Sequence, residues 1–154
     1  MRALTRMIAA AVLAVAAVFV GATPQSGAQG MQILMVPSAA MGRSIPVAFQ
    51  GGGPHAVVLL DAFNGGPDVS NWVTAGNAMN TLAGSGISVA APAGGAWSMY
   101  TNWEQDGSKQ WETFLADELP NYLAATQGLA PGGHGIVGAA QGGTGALTMA
   151  TFHP

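Results

Sequence analysis

The chain has 154 residues, a length that suits one domain. Charged residues make up 7% of it, against about a quarter in an average globular protein, and it contains 23 glycines. So little Lys and Arg cannot build a phosphate-neutralising patch or a polybasic segment, which argues against nucleic acid and anionic lipid as partners. Cysteine is absent, excluding a disulfide framework, and the three histidines leave little material for a zinc centre; neither metal nor cofactor is expected.

Arg2 and Arg6 precede an apolar run from Met7 to Val20, and the small residues Ser26-Gly27-Ala28 follow. That order of positive region, apolar region and small-residue site is a secretory signal peptide, here residues 1–28, cleaved after Ala28 or alternatively after Ala22. The run is about 14 residues, short of the roughly 20 that span a bilayer, so a membrane anchor is the weaker reading. The chain is therefore expected to be secreted, with no membrane span after signal removal. The remainder, 29–154, carries only Arg43 and Lys109 against Asp61, Asp68, Glu104, Asp106, Glu112, Asp117 and Glu118.

Two extended segments are predicted first, at Gln32 to Pro37 and Arg43 to Gln50, the second placing Ile45, Val47 and Phe49 on one face. After the Gly51-Gly52-Gly53-Pro54 connection come three apolar runs: His55 to Leu60, Ile87 to Ala91, and His134 to Ala139. Such continuous runs suit strands buried on both faces of a parallel sheet. Helices are predicted between them: Val69 to Leu82, opened by Pro67-Asp68, and Lys109 to Ala125, capped by Ser108 and kinked by Pro120. A last helix is placed after Gly143. Strands alternating with helices imply an α/β domain, a mostly parallel sheet with helices on both faces. Nothing follows the last helix to cover its far side, so the domain is expected to be incomplete.

The segment Ile136 to Leu147 carries the chemistry. An apolar strand enters Gly138-Ala139-Ala140-Gln141-Gly142 and passes straight into a helix, the layout of a G-x-S-x-G nucleophile elbow. Ala140 stands at the apex. Alanine has neither a lone pair to attack with nor a proton to release, so acyl transfer from this position is impossible. A phosphate loop would need lysine where Thr144 stands, and a dinucleotide fingerprint is out of register. Taken bare, the turn fits either a degenerate elbow or a close-packed turn.

Longer stretches decide between these. LMVPSAAMGRSIPVAF (34–49), VVLLDAFN (57–64), GISVAAPAGG (86–95), KQWETFLADELPNYLA (109–124) and the elbow with its FHP end (152–154) resemble the antigen 85 mycolyltransferases of mycobacteria. They are nearer still to that family's serine-less secreted branch, and they cover nearly all of 29–154. The resemblance implies a truncated α/β-hydrolase, this chain matching the N-terminal half. It places the backbone N–H groups of Phe63 and Gln141 at the oxyanion hole and matches the sugar-contacting aspartate with Asp61. The arginine that follows in the family is replaced by Asn64. The family's cysteine pair, near Glu104 to Gln110, is absent, and the segment proposed for fibronectin contact, Ala78 to Ala83, lacks its aromatics. The catalytic glutamate and histidine fall in the half not matched, and none of His55, His134 and His153 sits at the base position.

Those histidines are expected to be structural or solvent-facing. The acidic residues of the 109–125 helix are expected to form its solvated face. Trp72, Trp97, Trp103 and Trp111 fit either a carbohydrate surface or core positions. The leading expectation is a non-catalytic secreted homologue that binds cell-wall carbohydrate, such as trehalose or a glycolipid, or an extracellular-matrix protein. The rival is an acyltransferase or esterase of the same family. A third reading is a truncated gene product without function of its own.

Overall fold

Alternation in the second extended segment decides which way the sheet faces. In β2 (Arg43–Gln50), Ile45, Val47 and Phe49 enter one core while Ala48 enters another on the opposite face. The computed structural model describes residues 30–154; the predicted signal segment 1–28 lies outside them. No helix among the described residues is long and apolar enough to cross a membrane.

The sheet holds β1 (Gln32–Ser38), β2, β3 (Ala56–Leu60), β4 (Ser88–Pro92) and β5 (Gly135–Gly138), in the order β1-β2-β4-β3-β5. The three apolar runs become β3, β4 and β5, which are mutually parallel, with Ala56 opposite Ser88 and Leu60 opposite Gly138. β2 and β1 join antiparallel at one edge, so the sheet is mixed. Helices cover both faces, as expected. On one lie α3 (Trp111–Thr113), a π-helical segment (Phe114–Glu118), α4 (Leu119–Gln127) and α5 (Gln141–Phe152), which bring Trp111, Phe114, Leu115, Leu119, Leu123 and Met149 against the sheet. On the other lie α1 (Asn71–Thr74) and α2 (Ala78–Leu82), which cover a smaller core of Ala78 and Met79 on Leu59, Val89 and Ala91.

Three local expectations are corrected. The predicted helix from Val69 to Leu82 is two short helices. Ser70, not Pro67-Asp68, opens the first by accepting the Trp72 N–H, and Asn77 separates them with a left-handed φ of 49°. A β-carbon at the adjacent Gly76 would sit 2.8 Å from the Trp72 carbonyl oxygen, so the break between the two helices leaves no room for a side chain there. Ser108 does not cap the long helix. Its hydroxyl and N–H bond to the Asp106 carboxylate, and the helix starts at Trp111 without a side-chain cap. Pro120 acts not through a simple kink but beside the π-helical turn Phe114–Glu118. Proline has no N–H to donate and its ring crowds the carbonyl four residues back; a widened turn accommodates both.

Glu118 departs from the solvated face expected of that helix. Its carboxylate accepts the Ser38 hydroxyl at 2.5 Å and the Ala40 N–H at 2.9 Å, tying the β1–β2 turn to the helical layer. Glu112 meets His153 at 2.9 Å, and Asp117 remains exposed. Glu118→Ala should therefore lower stability by about 1.5–3 kcal/mol, as for hydrogen bonds to a charged group. Asp117→Ala should change it by less than about 0.5 kcal/mol. Paired urea titrations would check this, and equal losses would show that the turn does not depend on Glu118.

Candidate functional site

β3 and β5 are neighbours whose following helices leave to opposite faces of the sheet. A crevice opens at the carboxyl ends of parallel strands wherever connections diverge in this way. The register places Leu60 level with Gly138, so the loop from Asp61 lies alongside the turn at Ala139 to Gln141. The Ala139 N–H reaches the Leu60 carbonyl at 3.4 Å.

The turn has the geometry of a nucleophile elbow. Ala140 adopts φ 51° and ψ −116°, a strained conformation for a residue with a β-carbon. Helix α5 begins directly after it, at Gln141 rather than past Gly143 as predicted. The flanking glycines are obligatory: a β-carbon on Gly138 would lie 2.0 Å from the Gly142 carbonyl oxygen. One on Gly142 would lie 2.3 Å from the carbonyl oxygen of Leu60. The N–H groups of Phe63 and Gln141 donate to no acceptor among the described residues, leaving two free donors beside the apex. The Gln141 side chain secures this arrangement. Its Nε2 donates to the Ala62 carbonyl and to Ser98 Oγ, each at 3.2 Å, and its Oε1 is enclosed without a donor among the described residues.

Asp61 sits beneath the loop, 1% exposed. Its Oδ1 accepts the Ser70 hydroxyl at 2.7 Å and the Asn71 N–H at 2.9 Å, while Oδ2 is enclosed without a donor among the described residues. Burial pushes its carboxyl above the usual range, against the opposing pull of those hydrogen bonds. Its own N–H donates to the Tyr100 hydroxyl at 2.7 Å. Burial, and then the Asp61 charge, raise the Tyr100 phenol. In this arrangement the carboxylate organises the start of α1. Asn64 pairs with Ala96 across an isolated bridge, and its carbonyl accepts the Asn71 amide at 3.0 Å.

Sequence reasoning did not single out Tyr100 or Ser70. The signal for Tyr100 lies in two glycines: β-carbons on Gly94 and Gly145 would fall 2.5 Å from its hydroxyl oxygen and 2.6 Å from its Cβ. The histidines lie elsewhere. His55 and His134 precede the parallel strands and stand near each other, with ring centroids 6.2 Å apart. His134 Nδ1 accepts the Ala56 N–H at 3.0 Å. Since strands rise about 3.3 Å per residue, His134 lies roughly 20 Å along β5 from Ala140. His153 closes the far end of α5. Among the described residues, no group of three or more His, Asp or Glu side chains is placed to hold a metal ion.

A mixed sheet with a parallel β4-β3-β5 core, covered on both faces, and a glycine-flanked elbow at the strand-to-helix turn after β5 define an α/β-hydrolase-type fold. The chain belongs to the esterase family, whose profile, described as putative esterase, matches residues 38–154. It is 71% identical over 147 residues to the MPT51/MPB51 antigen of Mycobacterium tuberculosis, covering 96% of this chain and 49% of that one. It is 38% identical over 159 residues to the diacylglycerol acyltransferase/mycolyltransferase Ag85C of Mycobacterium avium, covering 96% of this chain and 45% of that one. The crystal structure of Mycobacterium tuberculosis MPT51 matches with a TM-score of 0.80 and 77% identity, over 82% of this chain and 47% of that chain. The resemblance to antigen 85 proteins is thereby confirmed. The chain spans about half the length of the curated relatives it matches.

Proposed function

We propose that this chain is an exported, non-catalytic member of its family that binds a neutral cell-wall carbohydrate or glycolipid. The observation that carries the reading is Ala140. The elbow keeps its strained apex, its obligatory glycines and two free backbone donors, yet the residue at the apex cannot form an acyl intermediate. Donors aimed at an oxyanion stabilise charge only when a nucleophile generates it; without one they remain hydrogen-bond donors for a ligand oxygen. The charged predicted signal segment supports export. An extracellular-matrix partner finds less support, because the segment Ala78 to Ala83 presents no aromatic side chain.

A serine-directed fluorophosphonate should label no residue, and p-nitrophenyl esters should not be turned over. Stoichiometric labelling would overturn the non-catalytic reading. Ala140→Ser should leave the chain inactive as well, because His55, His134 and His153 all lie at the opposite end of the strands from residue 140. Its rate should stay at least about 10⁴-fold below that of an intact serine esterase. Turnover close to an intact enzyme's would mean that a base reaches the apex.

A further inference from the structure

Cysteine is absent, so the thioethers of methionine are the chain's only sulfur groups. The fold sorts them into two sets. Met41, Met79 and Met149 are core residues, each 6% exposed. Met31 and Met35 stand outside, 45% and 54% exposed, with Ile33 between them at 41%. Met99, on the loop after β4, is the third exposed methionine among the described residues.

Strand geometry produces the sorting. Successive side chains of β1 alternate between the two faces of the sheet. Leu34 and Val36 enter the larger core, and the residues that alternate with them point the other way. On that second face α1 and α2 cover Ala48, Leu59, Val89 and Ala91. The register sets Ile33 level with Ala48 and Met35 level with Pro46, one strand beyond that cover. Met31, just before β1, continues the same alternation. The outer face of an uncharged edge strand therefore carries a stripe of Met31, Ile33 and Met35.

We propose that Met31 and Met35 are an oxidative modification site: hydroperoxides convert them to sulfoxides, turning the outer stripe of β1 from apolar to polar while the fold stands. The sulfur lone pair attacks the terminal oxygen of the hydroperoxide; an S–O bond forms and the O–O bond breaks. The hydroxyl proton passes to the departing oxygen, which leaves as an alcohol, or as water from hydrogen peroxide. Sulfur is oxidised by two electrons and the peroxide is reduced by two. Access decides which thioethers react. Peroxide reaches Met31 and Met35 directly from solvent, whereas the core methionines meet it only after local opening. A sulfoxide is polar, so it disrupts a core but is hydrated on an outer face. Leu34 and Val36 hold β1 from its other face, so the strand keeps its packing when the stripe changes.

The test treats the full chain with hydrogen peroxide and follows each sulfoxide over time by peptide mass spectrometry. Met31 and Met35 should oxidise at least about tenfold faster than Met41, Met79 and Met149, with the melt of the product within a few degrees of the parent. Binding of a dye for exposed apolar surface should fall on oxidation. It should recover with the two methionine sulfoxide reductases, one for each sulfoxide epimer. Replacing both residues, Met31→Leu with Met35→Leu, keeps the stripe apolar without its sulfur, and its dye binding should not respond to peroxide. Equal oxidation rates at exposed and core methionines would overturn the proposal, as would loss of the melt once positions 31 and 35 are oxidised. A dye response as large in the double variant as in the parent would place the change elsewhere and overturn it too.

Discussion

Gly142→Ala is expected to destabilise the chain by at least about 3 kcal/mol, enough to remove a cooperative melt from a marginally stable domain. A β-carbon there would lie 2.3 Å from the Leu60 carbonyl oxygen and 2.5 Å from that of Asp61. Both are backbone atoms at the end of β3, and β3 is fixed by pairing with β4 on one side and β5 on the other. Relief would require α5 to withdraw from the sheet, taking Met149 out of the core and Gln141 away from Ala62 and Ser98. The neighbouring glycine provides the control. A β-carbon on Gly143 would meet the Gly138 carbonyl, its oxygen at 3.4 Å and its carbon at 3.9 Å, both ordinary contacts. Gly143→Ala should therefore stabilise by about 0.5–1 kcal/mol, as a helical glycine replaced by alanine does. Urea denaturation followed by circular dichroism would compare the two. Equal stabilities would mean that the elbow is not packed against β3.

The second large effect concerns association. Among the described residues β5 pairs with β3 alone, and its other edge presents N–H and C=O groups with no ladder partner there. Val137 is 45% exposed and shares a face with Leu59, beyond the reach of the small α1–α2 layer. On α5, Gly142, Gly145 and Met149 face inward, whereas Leu147 and Phe152 are each 69% exposed. An open apolar edge next to exposed large side chains recruits further strands from other chains. At micromolar concentration the chain should sediment as oligomers and bind dyes that report exposed apolar surface. Val137→Lys places a charge on that edge strand and should shift the distribution strongly toward monomer. Sedimentation velocity on both proteins decides the matter. A monomeric parent with a sharp melt would show that the edge is satisfied in another way.

Patterns that act over a few residues were legible in the sequence. The runs at His55 to Leu60, Ile87 to Ala91 and His134 to Ala139 became β3, β4 and β5, because a strand buried on both faces must be apolar at successive positions. The glycines of the elbow announced themselves because only their missing β-carbons let α5 and β3 approach so closely. That Ala140 cannot attack a carbonyl was readable too, since nucleophilic chemistry at an apex depends on that one side chain. What the tertiary structure alone decided has long-range partners. Glu118 left the solvated face because Ser38 and Ala40, far away in sequence, supply its donors. Asp61 is buried because Ser70, Asn71 and the Tyr100 hydroxyl converge on it, which no local spacing encodes. Of the four tryptophans, Trp97 stands exposed beside Phe63, on a loop with left-handed backbone at 97, 99 and 100. Periodicity reports the face that a residue presents to its own element; which group from elsewhere meets that face is settled only when the sheet closes its register.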